Sequence, residues 1–130
     1  MKKGYVVNIG TVTTENTDYR RVLYTGEHSQ LVVMSLAPGV EIGEEIHHLD
    51  QFIRIESGSV KVILNDTEEH ELKDDWAIVV PAGVKHNFIN QGSVPVKLYT
   101  IYSPAEHVDG LVQPTKADEK EEHFDGVTTE

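Results

Sequence analysis

Between residues 5 and 103 the chain is a succession of short apolar alternations, each broken within a few residues by Gly, Pro, Asn or Asp. Side chains two apart on a strand point to the same side of a sheet, so this period favours half-buried strands. No segment carries an apolar stripe at helical spacing. The pattern predicts an all-β barrel or sandwich. Strands are expected at 5–9, 20–25, 30–37, 44–48, 51–56, 60–64, 70–72, 76–80, 86–90 and 96–102. Residues 31–36 are apolar on nearly both sides, as suits a strand covered on both faces. Pro38-Gly39, Asn65-Asp66 and Gln91-Gly92-Ser93 supply turns. Trp76, opening the strand at 76–80, is expected in the core.

Beyond Pro104 the chain changes character. Pro104 and Pro114 interrupt it, and a polar acidic stretch follows from Lys116 to Glu122. The expected organisation is an N-terminal strand or arm at 1–20, a barrel at 21–104 and a tail at 105–130. That tail would be irregular or briefly helical, with a disordered end from Phe124. The first twenty residues would suit edge pairing or strand exchange in a homodimer.

The 130 residues include no cysteine, which excludes disulfides, thiolate metal sites and cysteine nucleophiles. A transition metal would have to be held by His, carboxylate, amide and water. The formal net charge of −11 argues against a nucleic-acid partner, which needs a basic face. No apolar run approaches the roughly 20 residues of a membrane span, and no signal-type apolar core follows Met1-Lys2-Lys3. A soluble, cytoplasmic protein is expected.

Two runs carry the chemistry: Glu45-Ile46-His47-His48-Leu49-Asp50-Gln51, leading to Gly58, and Pro81-Ala82-Gly83-Val84-Lys85-His86-Asn87-Phe88-Ile89-Asn90. On a regular strand Glu45 and His47 share a side, and a curled sheet can bring Gln51 and His86 to them. His48 should then point outward, although a register slipped by one residue would exchange it with His47. Two imidazoles, a carboxylate and an amide oxygen suit a divalent ion of intermediate softness.

These runs resemble the two motifs of the cupin superfamily, G-x5-H-x-H-x3,4-E-x6-G and G-x5-P-x-G-x2-H-x3-N. Here the first reads Glu45-x-His47-x3-Gln51-x6-Gly58, with Gly39 or a neighbour ahead of it. The second reads Asp75-x5-Pro81-x-Gly83-x2-His86-x3-Asn90. The chain departs from the family where Glu45 replaces the first His, Gln51 the Glu and Asp75 a Gly. The resemblance implies a double-stranded β-helix, a jelly-roll barrel. Position by position, it makes Glu45, His47, Gln51 and His86 the ligands of Mn²⁺, Fe²⁺, Ni²⁺ or Zn²⁺. The carboxylate has moved within the set, and the ligand charge is unchanged.

The runs at 23–31 and 50–56 are similar to single-domain cupins of the mannose-6-phosphate-isomerase-like group. That implies a small metal-dependent enzyme on a sugar or sugar-phosphate-like metabolite, isomerase-like in form. The alternatives are a metal-dependent dioxygenase or lyase, and a non-catalytic small-molecule binding module. No phosphate cradle is visible. His107, in the tail, is the candidate for a mobile acid or base. Arg54 is expected at the surface, and Tyr99 and Tyr102 on opposite faces of the last core strand.

Overall fold

The computed structural model describes all 130 residues. Nine strands and two short helices form in the order α1 (Ile9–Glu15), β1 (Arg20–Thr25), β2 (Gln30–Leu36), β3 (Asp50–Ser57), β4 (Val60–Leu64), β5 (Glu68–Leu72), β6 (Ala77–Val80), β7 (His86–Ile89), β8 (Val96–Ser103) and β9 (Val112–Gln113), with a 3-10 turn at Lys116–Asp118. One sheet has the order β6-β3-β8-β2-β1-β9 and the other β5-β4-β7. Every named pairing is antiparallel. The segment 41–45 extends the smaller sheet through bridges Glu41–Ile89 and Glu45–His86. This is the double-stranded β-helix, and the inward residues of both sheets fill it.

Strand β2 shows why period and burial agree. Val32, Val33, Met34 and Leu36 are all buried, because the interior covers one face and α1 lies on the other. Helix α1 stands where the sequence pattern predicts no helix, and no strand forms at 5–9. Ile9, Thr11, Val12, Thr13 and Thr14 are poor intrinsic helix formers, so the sequence gives little helical signal. What holds the turn is Asn8, whose side chain accepts from Thr11 N at 3.0 Å, and packing against β2, β3 and β8. The N-terminal arm therefore covers its own sheet.

Three further expectations are corrected. Trp76 is 57% exposed; it lies in the turn before β6, its backbone bonded to Lys73 and Ile55 and its ring outside the sheet. The segment 44–48 contributes a single bridge at Glu45 rather than a strand. The chain's end is fastened, not disordered: Thr129 N donates to Thr25 O at 2.9 Å, and Glu130 accepts from Lys3 N at 2.6 Å, Gly4 N at 2.9 Å and Tyr24 OH at 2.7 Å.

The motif glycine Gly58 has φ +102°, and an added Cβ would stand 2.9 Å from Pro95 O. Asp75, where the family has Gly, keeps the left-handed backbone at φ +72°. Asp tolerates that region better than most residues, and its carboxylate accepts from Arg54 at 2.8 Å. Asn90 is fully buried: its amide donates to Leu36 O and Val94 O, and its oxygen accepts from Gly92 N, each at 2.9 Å. No helix is long and apolar enough to cross a membrane.

Candidate metal centre

Glu45 and His86 are directly opposed, exchanging both backbone hydrogen bonds at 2.9 and 3.0 Å. Opposed residues present their side chains on the same face, and His47, two residues on, joins them. His47 O accepts from Gly83 N at 2.8 Å, and Ala82 N donates to Asp50 at 3.0 Å, so both motif turns are locked together. His47 is 9% exposed, whereas His48 is exposed; this register places His47 inside.

Within the site His47 Nε2 lies 3.2 Å from Glu45 Oε2, and the two imidazole centroids are 5.1 Å apart. His86 Nδ1 lies 2.9 Å from Val84 O. A carbonyl only accepts, so Nδ1 carries the proton and Nε2 keeps a free lone pair. Gln51 Nε2 donates to Thr100 Oγ1 at 3.1 Å, while its Oε1 is buried with no partner. Such an orphaned amide oxygen is costly unless something binds it. One carboxylate, two imidazoles and one unpartnered amide oxygen fit a divalent transition metal by donor chemistry. No three His, Asp or Glu side chains stand as close as in a formed coordination sphere; Glu45 and His47 are bonded to each other.

The tail supplies Glu106, which the sequence did not single out. Glu106 Oε2 lies 3.6 Å from His47 Nδ1, and its Oε1 is 3.1 Å from His123 Nδ1. His107 is buried rather than mobile. Gln30, itself fully buried, donates to His107 O at 2.7 Å and accepts from His107 N at 3.0 Å. The His107 ring packs edge-on against Tyr102 at 5.1 Å, and its Nε2 has no partner. Arg20, on β1, is 3% exposed and reaches Gln113 and Glu119 of the tail at 2.9 and 3.0 Å. Arg54, by contrast, pairs outside with Glu56 and Asp75.

Burial and neighbouring charge set the protonation states. Burial would lower His47, but the Glu45 hydrogen bond and the charges of Glu45 and Glu106 outweigh it and raise its pKa. Burial lowers His86. Burial, then the Arg20 charge, pushes His107 down to about 3, so its ring is neutral at pH 7. Tyr102 is raised, chiefly by burial, and stays protonated. Glu45, Glu106, His107 and Arg20 border a cavity of about 430 Å³ at the barrel mouth, crossed by the tail.

Two facing antiparallel sheets, with these side chains aimed inward from the paired motif turns, define a cupin. The chain belongs to that family: the Cupin domain pattern matches residues 32–102. It is 48% identical over 122 residues to the Bacillus subtilis protein YrkC, covering 89% of this chain and 66% of that protein. It is 47% identical over 112 residues to Acanthamoeba polyphaga mimivirus protein L612, covering 83% and 70%. The crystal structure of Bacillus halodurans BH2720 superposes with TM-score 0.87 at 46% identity, over 89% of this chain and 92% of that one.

Proposed function

We propose that this cupin is a small metal-dependent enzyme acting on a sugar-like metabolite, with isomerase-type proton transfer as its chemistry. The observation that carries the proposal is the shared inward wall of Glu45, His47 and His86, together with the buried Gln51 on β3, whose Oε1 has no partner. These four residues would hold Mn²⁺, Fe²⁺, Ni²⁺ or Zn²⁺. A bound ion would supply Lewis acidity toward a hydroxyl or carbonyl oxygen.

The chain's own groups complete the chemistry. Moving a proton between adjacent carbons needs a base and an acid within reach. Glu106, bordering the cavity, can accept a proton. His107 borders the same cavity with a neutral ring, its backbone clamped by Gln30. Tyr102 behind it remains a hydroxyl donor. Tail residues between Glu106 and His123 line the mouth, and a substrate covered by them would be held where electrostatic interactions are strengthened. No Gly-rich cradle faces the cavity, so a phosphate group has no obvious seat.

The test is metal content by elemental mass spectrometry on untagged protein, beside His47→Ala and His86→Ala, with circular dichroism as the control for folding. Near-stoichiometric metal in the wild type, lost in both variants while the β signal persists, is the expected result. An aldose–ketose screen with the loaded protein follows, where Glu106→Gln should lower turnover without releasing metal. Absence of metal after reconstitution with all four ions would leave a ligand-binding barrel.

A further inference from the structure

Beside the proposed metal wall, the structure holds a carboxylate in a formed receptor. Glu119, just after the 3-10 turn, accepts through Oε2 from Tyr19 OH and from Arg20 Nη1, each at 3.0 Å, and through Oε1 from Lys116 Nζ at 2.7 Å. Lys116 is itself anchored by donating to Ile42 O at 2.6 Å. The Arg20 guanidinium lies 5.1 Å and the Lys116 ammonium 5.5 Å from the Tyr19 ring centroid. The Arg20 side chain is 4% exposed, and the Glu119 side chain 33%. Arg20 and Tyr19 are thus the interior part of the receptor, and Glu119 and Lys116 the reachable part.

The receptor is not used to capacity. Arg20 meets both Gln113 and Glu119 through Nη1 alone, and its buried Nε has no partner. A guanidinium binds carboxylates best through two parallel N–H bonds, and Glu119 takes only one. His107 Nε2, also buried and bordering the same cavity, is likewise unpartnered. An unsatisfied buried donor such as Arg20 Nε costs on the order of 1–3 kcal/mol, and the His107 nitrogen is a second unmatched polar atom on the same cavity.

We propose that Arg20, Tyr19 and Lys116 form a carboxylate-recognition subsite, and that Glu119 is its resident occupant, displaced by the carboxylate of a small hydroxy- or oxo-acid substrate. The proposal rests on the reading of Glu45, His47 and His86 as the reacting wall, because it assigns the far end of the same substrate. The displacement exchanges one monoanion for another. That matters where Glu44, Glu45, Glu106, Glu121 and Glu122 already border the cavity; a phosphate dianion would add uncompensated charge. The volume of about 430 Å³ suits a molecule of that size. Losing Glu119 from the receptor also loosens the middle of the strap at 116–123, between its ties at Lys116 and His123.

The test titrates the full chain with lactate, pyruvate and gluconate, and with neutral glycerol and glucose, by NMR. Metal-free and Mn²⁺-loaded samples are run for the wild type, Glu119→Gln and Glu119→Gln combined with Arg20→Lys. Removing the resident charge should tighten carboxylate binding by roughly tenfold or more, about one charge-assisted hydrogen bond, with no gain for the neutral compounds. The Arg20→Lys change, which keeps the charge but loses the fork, should cancel that gain. In the wild type the acids should also speed tryptic cleavage at Lys116 and Lys120. Equal binding by Glu119→Gln and wild type, or an equal gain for glucose, would overturn the subsite. The metal-free samples decide this even if no ion is ever taken up. Acid binding that needs Mn²⁺ and ignores both substitutions would place the carboxylate on the metal instead and also overturn it.

Discussion

The two ends of this barrel are built from the same strands and differ in which inward residues those strands supply and in the tail that crosses the mouth. Gln51 on β3 gives way to Ile53 and Ile55, His86 on β7 to Phe88, and Tyr102 and Thr100 on β8 to Leu98 and Val96. The lower positions are almost completely buried and join one apolar cluster. The mouth positions are equally buried but polar, and Gln51, His107 and Arg20 each keep an atom without a partner there. Burial alone therefore does not mark the core. Where an interior is satisfied, it stabilises the fold; where it carries orphaned donors and acceptors, the unmatched groups point to a ligand.

Phe88→Ala against His86→Ala is the sharpest way to break that contrast. Phe88 is 1% exposed within the apolar cluster, and its loss should cost about 3–5 kcal/mol in denaturant unfolding. His86→Ala, two residues away on the same strand, should cost less, because His86 stands outside the apolar cluster and its ring gives up one hydrogen bond to Val84 O. Similar losses for both would mean that the mouth is as structural as the base.

Acid should weaken the mouth selectively. His107 has a folded pKa of about 3 against an ordinary value of 6.5, through burial and then the charges of Arg20, His47 and His123. A depressed folded pKa means that the unfolded chain binds the proton more readily. Its contribution is therefore complete above pH 6.5 and falls as pH drops toward 3. Between pH 6.5 and 4 this should remove roughly 2–3 kcal/mol. His107→Gln, neutral throughout, should flatten unfolding free energy against pH over that range. An unchanged slope would show that His107 is not held neutral.

The motif turns owe more to backbone than to chemistry, and Gly58→Ala should cost about 1–3 kcal/mol through its left-handed φ and the close Pro95 carbonyl. A Tm unchanged by differential scanning calorimetry would mean that the turn can move. Such positions were legible in the sequence because local spacing dictates them. Gly58, Pro81, Gly83 and Asn90 announce turns, and period two announces most of the strands. It also announces which of His47 and His48 lies inside, once the register is set by the Glu45–His86 bridge. What was not legible depends on closure over long sequence distance. Arg20 reads as an ordinary strand-start cation until Gln113 and Glu119 fold back on it. Glu106 is one acid among many until the tail sets it beside His47. Helix α1 is made by the surface it lands on rather than by its own β-branched residues.

The finest probe of the contrast is Gln51→Leu. The substitution discards the Nε2 hydrogen bond to Thr100 Oγ1, a loss of about 1 kcal/mol. It also removes Oε1, a buried oxygen without a partner, and relieves a penalty of about 1–3 kcal/mol. The two changes oppose each other, so chemical unfolding of the metal-free protein should shift by less than about 1 kcal/mol. Metal affinity should nevertheless fall, read by competition with a chelator, because the amide oxygen is the donor that the apolar side chain lacks. A marked loss of stability together with unchanged affinity would reverse the assignment. Gln51 would then belong with the packed base of the barrel, and the boundary between core and site would move up one level.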